Sequence, residues 1–175
     1  MHLKQPSGNP MIKLNCAVLT ISNSRTAAND TSGDYLVDQL QRAGHQCLER
    51  AISPANRYEL RKIVSAWIAN PQLHVIITNG GTGFGPEKNT VAALQPLFDH
   101  TITGFGEHFR QLSFEDIGSS AMQSDAIAGL ANQTVIFCLP GSTNACRLAW
   151  TRLIREQLNS QHKPCNFADH CASKS

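Results

Sequence analysis

The sequence predicts an α/β protein, a three-layer α/β/α sandwich with a mostly parallel central sheet. Two observations carry this expectation. Three short apolar runs lack polar alternation and are rich in β-branched residues: Ala17-Val18-Leu19-Thr20-Ile21, Val75-Ile76-Ile77-Thr78 and Val135-Ile136-Phe137-Cys138-Leu139. Strands covered on both faces have this pattern. Amphipathic helical stripes alternate with the runs, and a β-α-β-α-β order sets helices on both sides of a parallel sheet.

In chain order, residues 1–12, with Pro6, Ser7, Gly8, Asn9 and Pro10, read as a flexible leader before a domain spanning 13–160. After the first strand, Leu36, Val37, Leu40 and Ala43 stand at helical spacing across residues 31–43. Cys47 to Ile52 is a weaker fourth strand. A second helix starts at Asn56-Arg57-Tyr58-Glu59, a cap with an acid three residues on. Its inner stripe is Leu60, Ile63, Val64, Trp67 and Ile68, and Pro71 closes it. Short helices are expected over residues 90–98, 106–112 and 121–130. The last helix begins after Gly141 and runs to about Leu158, with Cys146, Ala149, Trp150, Leu153 and Ile154 on one face. Pro164 blocks its continuation, so 161–175 reads as an irregular tail.

Composition excludes several classes. With 175 residues, 41% apolar and 16% charged, the chain suits one globular domain. Its apolar runs are far shorter than the roughly 20 residues a membrane helix needs, and no secretory signal stands at the N-terminus. A cytoplasmic location without membrane contact is expected. The net charge of +2 is spread over single Lys and Arg residues, so no nucleic-acid partner is expected. Six cysteines do not demand a disulfide framework in a chain of this size. Cys16, Cys138 and Cys146 fall at apolar positions and read as small hydrophobes. His162, Cys165, His170 and Cys171 lack the paired spacing of a zinc site, and no metal ligands are assigned.

In open parallel sheets, ligands bind beyond the carboxyl ends of the strands. Each apolar run is followed by glycine, hydroxyl or small-amide residues leading towards a helix. Ser22-Asn23-Ser24-Arg25 and Asp30-Thr31-Ser32-Gly33 follow the first, Asn79-Gly80-Gly81-Thr82-Gly83 the second, and Pro140-Gly141-Ser142-Thr143-Asn144 the third. Glycines let backbone approach an anion closely, and amides at helix starts donate to it. The candidate ligand-binding residues are therefore Ser24, Asp30, Ser32, Gly80, Gly81, Thr82, Gly83, Gly141 and Ser142. Plainer readings stand beside this one: Asp30-Thr31-Ser32 as a helix cap, and Gly141-Ser142 as a tight turn. Neither the dinucleotide fingerprint nor the P-loop pattern is met, because Pro86 falls where each needs another residue.

Together, Leu19-Thr20-Ile21-Ser22, Asp30-Thr31-Ser32-Gly33, Thr78-Asn79-Gly80-Gly81-Thr82-Gly83, Gly104-Phe105-Gly106-Glu107 and Leu139-Pro140-Gly141-Ser142 resemble the MoaB/MogA family of molybdenum cofactor biosynthesis. The Pro164-Cys165-Asn166-Phe167 tail resembles its MoaB branch. The resemblance implies a molybdopterin-binding fold, a homotrimer or homohexamer, and molybdopterin as ligand. It also implies ATP and Mg²⁺ where the member is an active adenylyltransferase. Active members carry acids that this chain replaces: Ser53-Pro54 stands for a Pro-Asp pair, Glu87-Lys88 for an Arg-Asp step, and Thr90-Val91-Ala92 for a Thr-Pro-acid start. The catalytic residues are thus left unassigned, and two roles stay open: adenylylation of molybdopterin through an altered metal site, or binding without transfer. Phe109, Leu112, Phe114, Ile117 and Met122 give more apolar bulk than a short covering segment needs, which favours assembly.

Overall fold

The apolar runs form the middle of one sheet. A computed structural model of the chain describes residues 8–174. The strands are β1 (Asn15–Ile21), β2 (Gln46–Ser53), β3 (Val75–Asn79), β4 (His100–Thr101), β5 (Ile127–Ala131) and β6 (Thr134–Leu139). Their order is β2-β1-β3-β6-β5-β4. β2, β1, β3 and β6 run parallel, while β5 runs against both β6 and β4. Every residue of β3 and β6 is buried, which is why these segments carry no polar alternation.

Helices cover both faces. On one lie α1 (Thr31–Arg42), α4 (Thr103–Ile117) and the last helical run, α5 (Thr143–Ala149), a π segment (Trp150–Ile154) and α6 (Arg155–Gln157). Leu36 and Leu40 of α1, Phe109 of α4 and Trp150 of the π segment pack there against Val18, Ile77 and Phe137. On the other lie α2 (Arg57–Ala69) and α3 (Thr90–Leu94), with Leu60, Val64 and Leu94 against Leu19, Ile76 and Ile136. The three-layer α/β/α architecture follows from alternate residues of each central strand feeding opposite cores. The Asn56 side chain accepts from the amides of Tyr58 and Glu59, so α2 starts where its cap stands.

Three expectations need correction. Residues 121–130 are not a helix: a 3₁₀ segment, Gly118–Gln123, leads into β5, which pairs with β6. Asn132 and Gln133 close that hairpin with φ of +48° and +60°, a two-residue turn whose twist matches the strands. Asn132 is held there by Asp99 and by the Ile68 carbonyl, so tertiary contacts support a left-handed conformation that no glycine marks. The helix expected over 106–112 extends in both directions as α4. The tail is not wholly irregular, because Asn166 caps α7 (Phe167–Cys171). Of the leader, residues 1–7 lie outside the described residues, while Ile12 donates its amide to Ser160 Oγ at 2.8 Å and packs on the core.

At the amino ends of the strands, two imidazoles act as acceptors. His45 Nδ1 takes the Leu14 amide at 3.2 Å and His74 Nδ1 takes the Asn15 amide at 2.9 Å. Burial pushes both below the usual histidine range. Near His74, Lys174 is buried, and its ammonium donates to the carbonyls of Ile68 and Leu73 and to Thr134 Oγ1.

Candidate functional site

The register puts Thr20 beside Asn79 and Asn79 beside Leu139, so β1, β3 and β6 end together. Beyond those ends lies a polar cavity of about 450 Å³. Its first wall is the turn after β1, where Ser22 Oγ accepts from the amides of Ser24 and Arg25. That bond curls the chain so that Ser24 and Arg25 line the cavity.

The second wall is the start of α1. Asp30 caps the helix by accepting the Gly33 amide on Oδ1 at 3.1 Å. Its Oδ2 accepts from Thr20 Oγ1 at 2.8 Å and from Arg50 Nη2 at 3.1 Å. Thr20 Oγ1 in turn accepts from Asn79 Nδ2 at 3.0 Å. Asp30, Thr20 and Asn79 are all buried. An Asp30 carboxylate with this many partners serves as a pivot for the wall more than as a free ligand. Ser32 is also engaged, donating to the Gly141 carbonyl at 2.8 Å and lying 3.0 Å from Thr143 Oγ1.

The glycine loop forms the third wall. Gly80, Gly81 and Gly83 have φ of +98°, +67° and +109°. A Cβ on Gly80 would strike the Ile21 carbonyl, and one on Gly81 the Thr90 hydroxyl. Thr90 pins the loop through its hydroxyl to the Gly80 carbonyl and its amide to the Gly81 carbonyl. Of the candidate loop residues, Gly80 has its amide committed within the protein. Gly80 donates to the Leu139 carbonyl at 2.9 Å. Among the described residues the amides of Gly81, Thr82 and Gly83 make no such bond.

The structure brings Ser24, Asp30, Ser32, Gly80, Gly81, Thr82 and Gly141 to this one cavity, and leaves Gly83 and Ser142 outside it. Ser142 caps α5 by accepting the Ala145 amide. With Thr82 it lines a second, neighbouring cavity of about 370 Å³, bounded by α4 and α5. Sequence reasoning missed Arg25 and Asn79 as separate site residues, although both stand inside the quoted motifs, and missed Arg50, which no motif marks.

Arg25 and Lys88 bring positive charge to the cavity, and Asp30 and Glu87 negative. Glu87 Oε2 accepts from Asn23 Nδ2 at 3.4 Å. Where active family members are expected to hold acids, this chain has Pro54, Lys88 and Ala92; beside them Ser53 donates its hydroxyl to the Pro54 carbonyl and Thr90 pins the glycine loop. Among the described residues, no three His, Cys, Asp or Glu side chains converge as a cation site. With Asp30 engaged by Arg50, and Glu87 adjacent to Lys88, the donors present do not fit a protein-built Mg²⁺ site. The thiols take no part: burial pushes Cys138 and Cys146 up to about 12.

A polar, glycine-walled cavity at the carboxyl ends of parallel strands stands where open α/β sheets bind their ligands. Residues 17–160 match the family described as "Probable molybdopterin binding domain", and the chain belongs to it. Molybdenum cofactor biosynthesis protein B of Escherichia coli (strain K12) is 52% identical over 154 residues, 88% of this chain and 91% of that protein. A crystal structure of a molybdenum cofactor biosynthesis protein B superposes with a TM-score of 0.83 at 40% identity, covering 86% of this chain and 94% of the other. The tungsten cofactor synthesizing protein MoaB from Pyrococcus furiosus does so with a TM-score of 0.69 at 28% identity, covering 78% and 88%. No helix among the described residues is long and apolar enough to cross a membrane.

Proposed function

We propose that this chain serves molybdenum cofactor biosynthesis in the cytoplasm by binding molybdopterin, with the phosphate of the pterin seated in the 450 Å³ cavity. The amides of Gly81 and Thr82 and the ammonium of Lys88 hold the phosphate, and Ser24 with Arg25 closes the opposite side. The observation that carries this reading is the glycine loop itself. Positive φ at Gly81 and Gly83 turns the backbone, and the amides of Gly81 and Thr82, which line the cavity, have no protein acceptor among the described residues.

Binding without adenylyl transfer is the role this donor set supports best, because the cavity offers Glu87 as the one carboxylate not paired with a cation among the described residues. The second reading, transfer from ATP with Mg²⁺ held mainly by substrate phosphates, rests on that same Glu87. Anaerobic titration with molybdopterin tests the first reading; an absence of saturable binding ends it. Pyrophosphate release from ATP, molybdopterin and Mg²⁺ tests the second. Turnover that requires Mg²⁺ and disappears in a Thr82→Ala, Glu87→Ala double variant establishes transfer and removes the binding-only role.

A homotrimer or homohexamer is part of the same proposal. Phe114, Ile117 and Met122 are exposed at the end of α4 and just beyond it, while Phe109 is in the core. Light scattering that reports a monomer at micromolar concentration refutes the assembly.

A further inference from the structure

Arg50 stands on the edge strand β2 and does not line the cavity, yet its guanidinium reaches the cavity's most buried charge. Arg50 Nη2 donates to Asp30 Oδ2 at 3.1 Å and to Asp34 Oδ1 at 2.6 Å. From Asp30 the bonds continue through Thr20 Oγ1 to the Asn79 side-chain amide, which lines the cavity. The Asp30 side chain is 1% exposed, so a carboxylate there without a cation has little water to screen it.

We propose that Arg50 is a positioning residue for the ligand cavity: it holds the Asp30–Thr20–Asn79 chain in one arrangement and cancels the Asp30 charge that would otherwise repel a phosphate. The inference rests on the phosphate-binding reading given above. Charges at the cavity wall make the balance concrete. Arg25 and Lys88 oppose Asp30 and Glu87, so the lining by itself is neutral, and Arg50 behind it answers the buried Asp30 charge and leaves Arg25 and Lys88 to face an anion. The remaining groups near Asp30 are Asp34 on α1, which shares Arg50 and is largely exposed, and Cys146 on α5, a buried thiol.

Removing Arg50 therefore has a charge-dependent result that loss of packing alone does not. In Arg50→Met the Kd for molybdopterin is expected to rise about tenfold. Adding Asp30→Asn to Arg50→Met removes the unpaired charge and is expected to recover most of that loss. A loss with no recovery in the double variant overturns the proposal. Where Arg50→Met does not fold, Arg50→Gln keeps a donor to Asp30 without the charge and carries the same expectation.

A ligand-free readout separates this inference from the functional reading. The side-chain amide signals of Asn79 in isotope-labelled protein are expected to shift and exchange faster in Arg50→Met, through two intervening residues. Unchanged Asn79 signals overturn the positioning role. Failure of the wild-type protein to bind molybdopterin sinks the functional reading, and the Asn79 signals then decide the positioning of the wall.

Discussion

Gly80 and Gly83 belong to one loop and share a left-handed backbone, but their surroundings differ. An added Cβ at Gly80 meets the Ile21 carbonyl, whereas at Gly83 the nearest atoms are 3.8 Å away. Gly83→Ala is expected to cost about 1 kcal/mol from backbone strain alone. Gly80→Ala adds a collision with main chain and is expected to cost about 3 kcal/mol. Thermal denaturation of the two variants side by side checks the order, and equal losses would remove the distinction. The glycine loop was legible as a separate feature because its composition is unusual, and in the fold it walls a cavity. Which of its amides are available was not, since Gly80 is claimed by Leu139, a residue far along the chain whose register only the folded sheet sets. The same holds for Arg50, which acts through a carboxylate twenty residues earlier.

Among elements, β5 and its turn show where local reading fails. Ala126, Ala128 and Ala131 give a segment that could serve a helix, and only pairing with β6 makes it a strand. Gly129 lies beneath the Phe98 ring, where any larger side chain would overlap it. Gln133 holds φ of +60° without the glycine that such turns prefer. Gln133→Gly is expected to raise stability by about 0.5 kcal/mol, because relief of the left-handed strain exceeds the added chain entropy. The urea midpoint measures it, and a lower midpoint would show that strain at this turn is negligible. The central strands and α2 were legible by contrast. Their burial pattern and cap are local properties, written in residues a few positions apart.

For the molecule as a whole, the imidazoles at the amino ends of the strands link stability to pH. His45 and His74 must be neutral at Nδ1 to accept the Leu14 and Asn15 amides. Their folded values lie below the unfolded value of 6.5. The unfolded chain therefore binds more protons in that interval, so stability is complete above it and falls as the pH drops through the folded values. Each lost bond is expected to cost about 1 kcal/mol. Urea unfolding at descending pH below 6.5 reads the decline, and His45→Gln with His74→Gln is expected to flatten it. An unchanged slope in the double variant would assign the acid sensitivity elsewhere. Layer order was legible at this scale because it follows from alternation along buried strands. The reversed β5 was not, since nothing local fixes direction.

The sheet's two rims decide how copies of this chain can meet. β2 carries Glu49 and Arg50 on an exposed rim, and β4 at the far rim is only two residues long. A charged rim and a truncated one offer a poor template for a foreign strand. Growth of the sheet from one copy into the next is thereby discouraged, as is the fibrous aggregation it leads to. In the assembly proposed above, contact then falls to the helices rather than to the sheet edges, which favours closed rings of subunits over open-ended stacks.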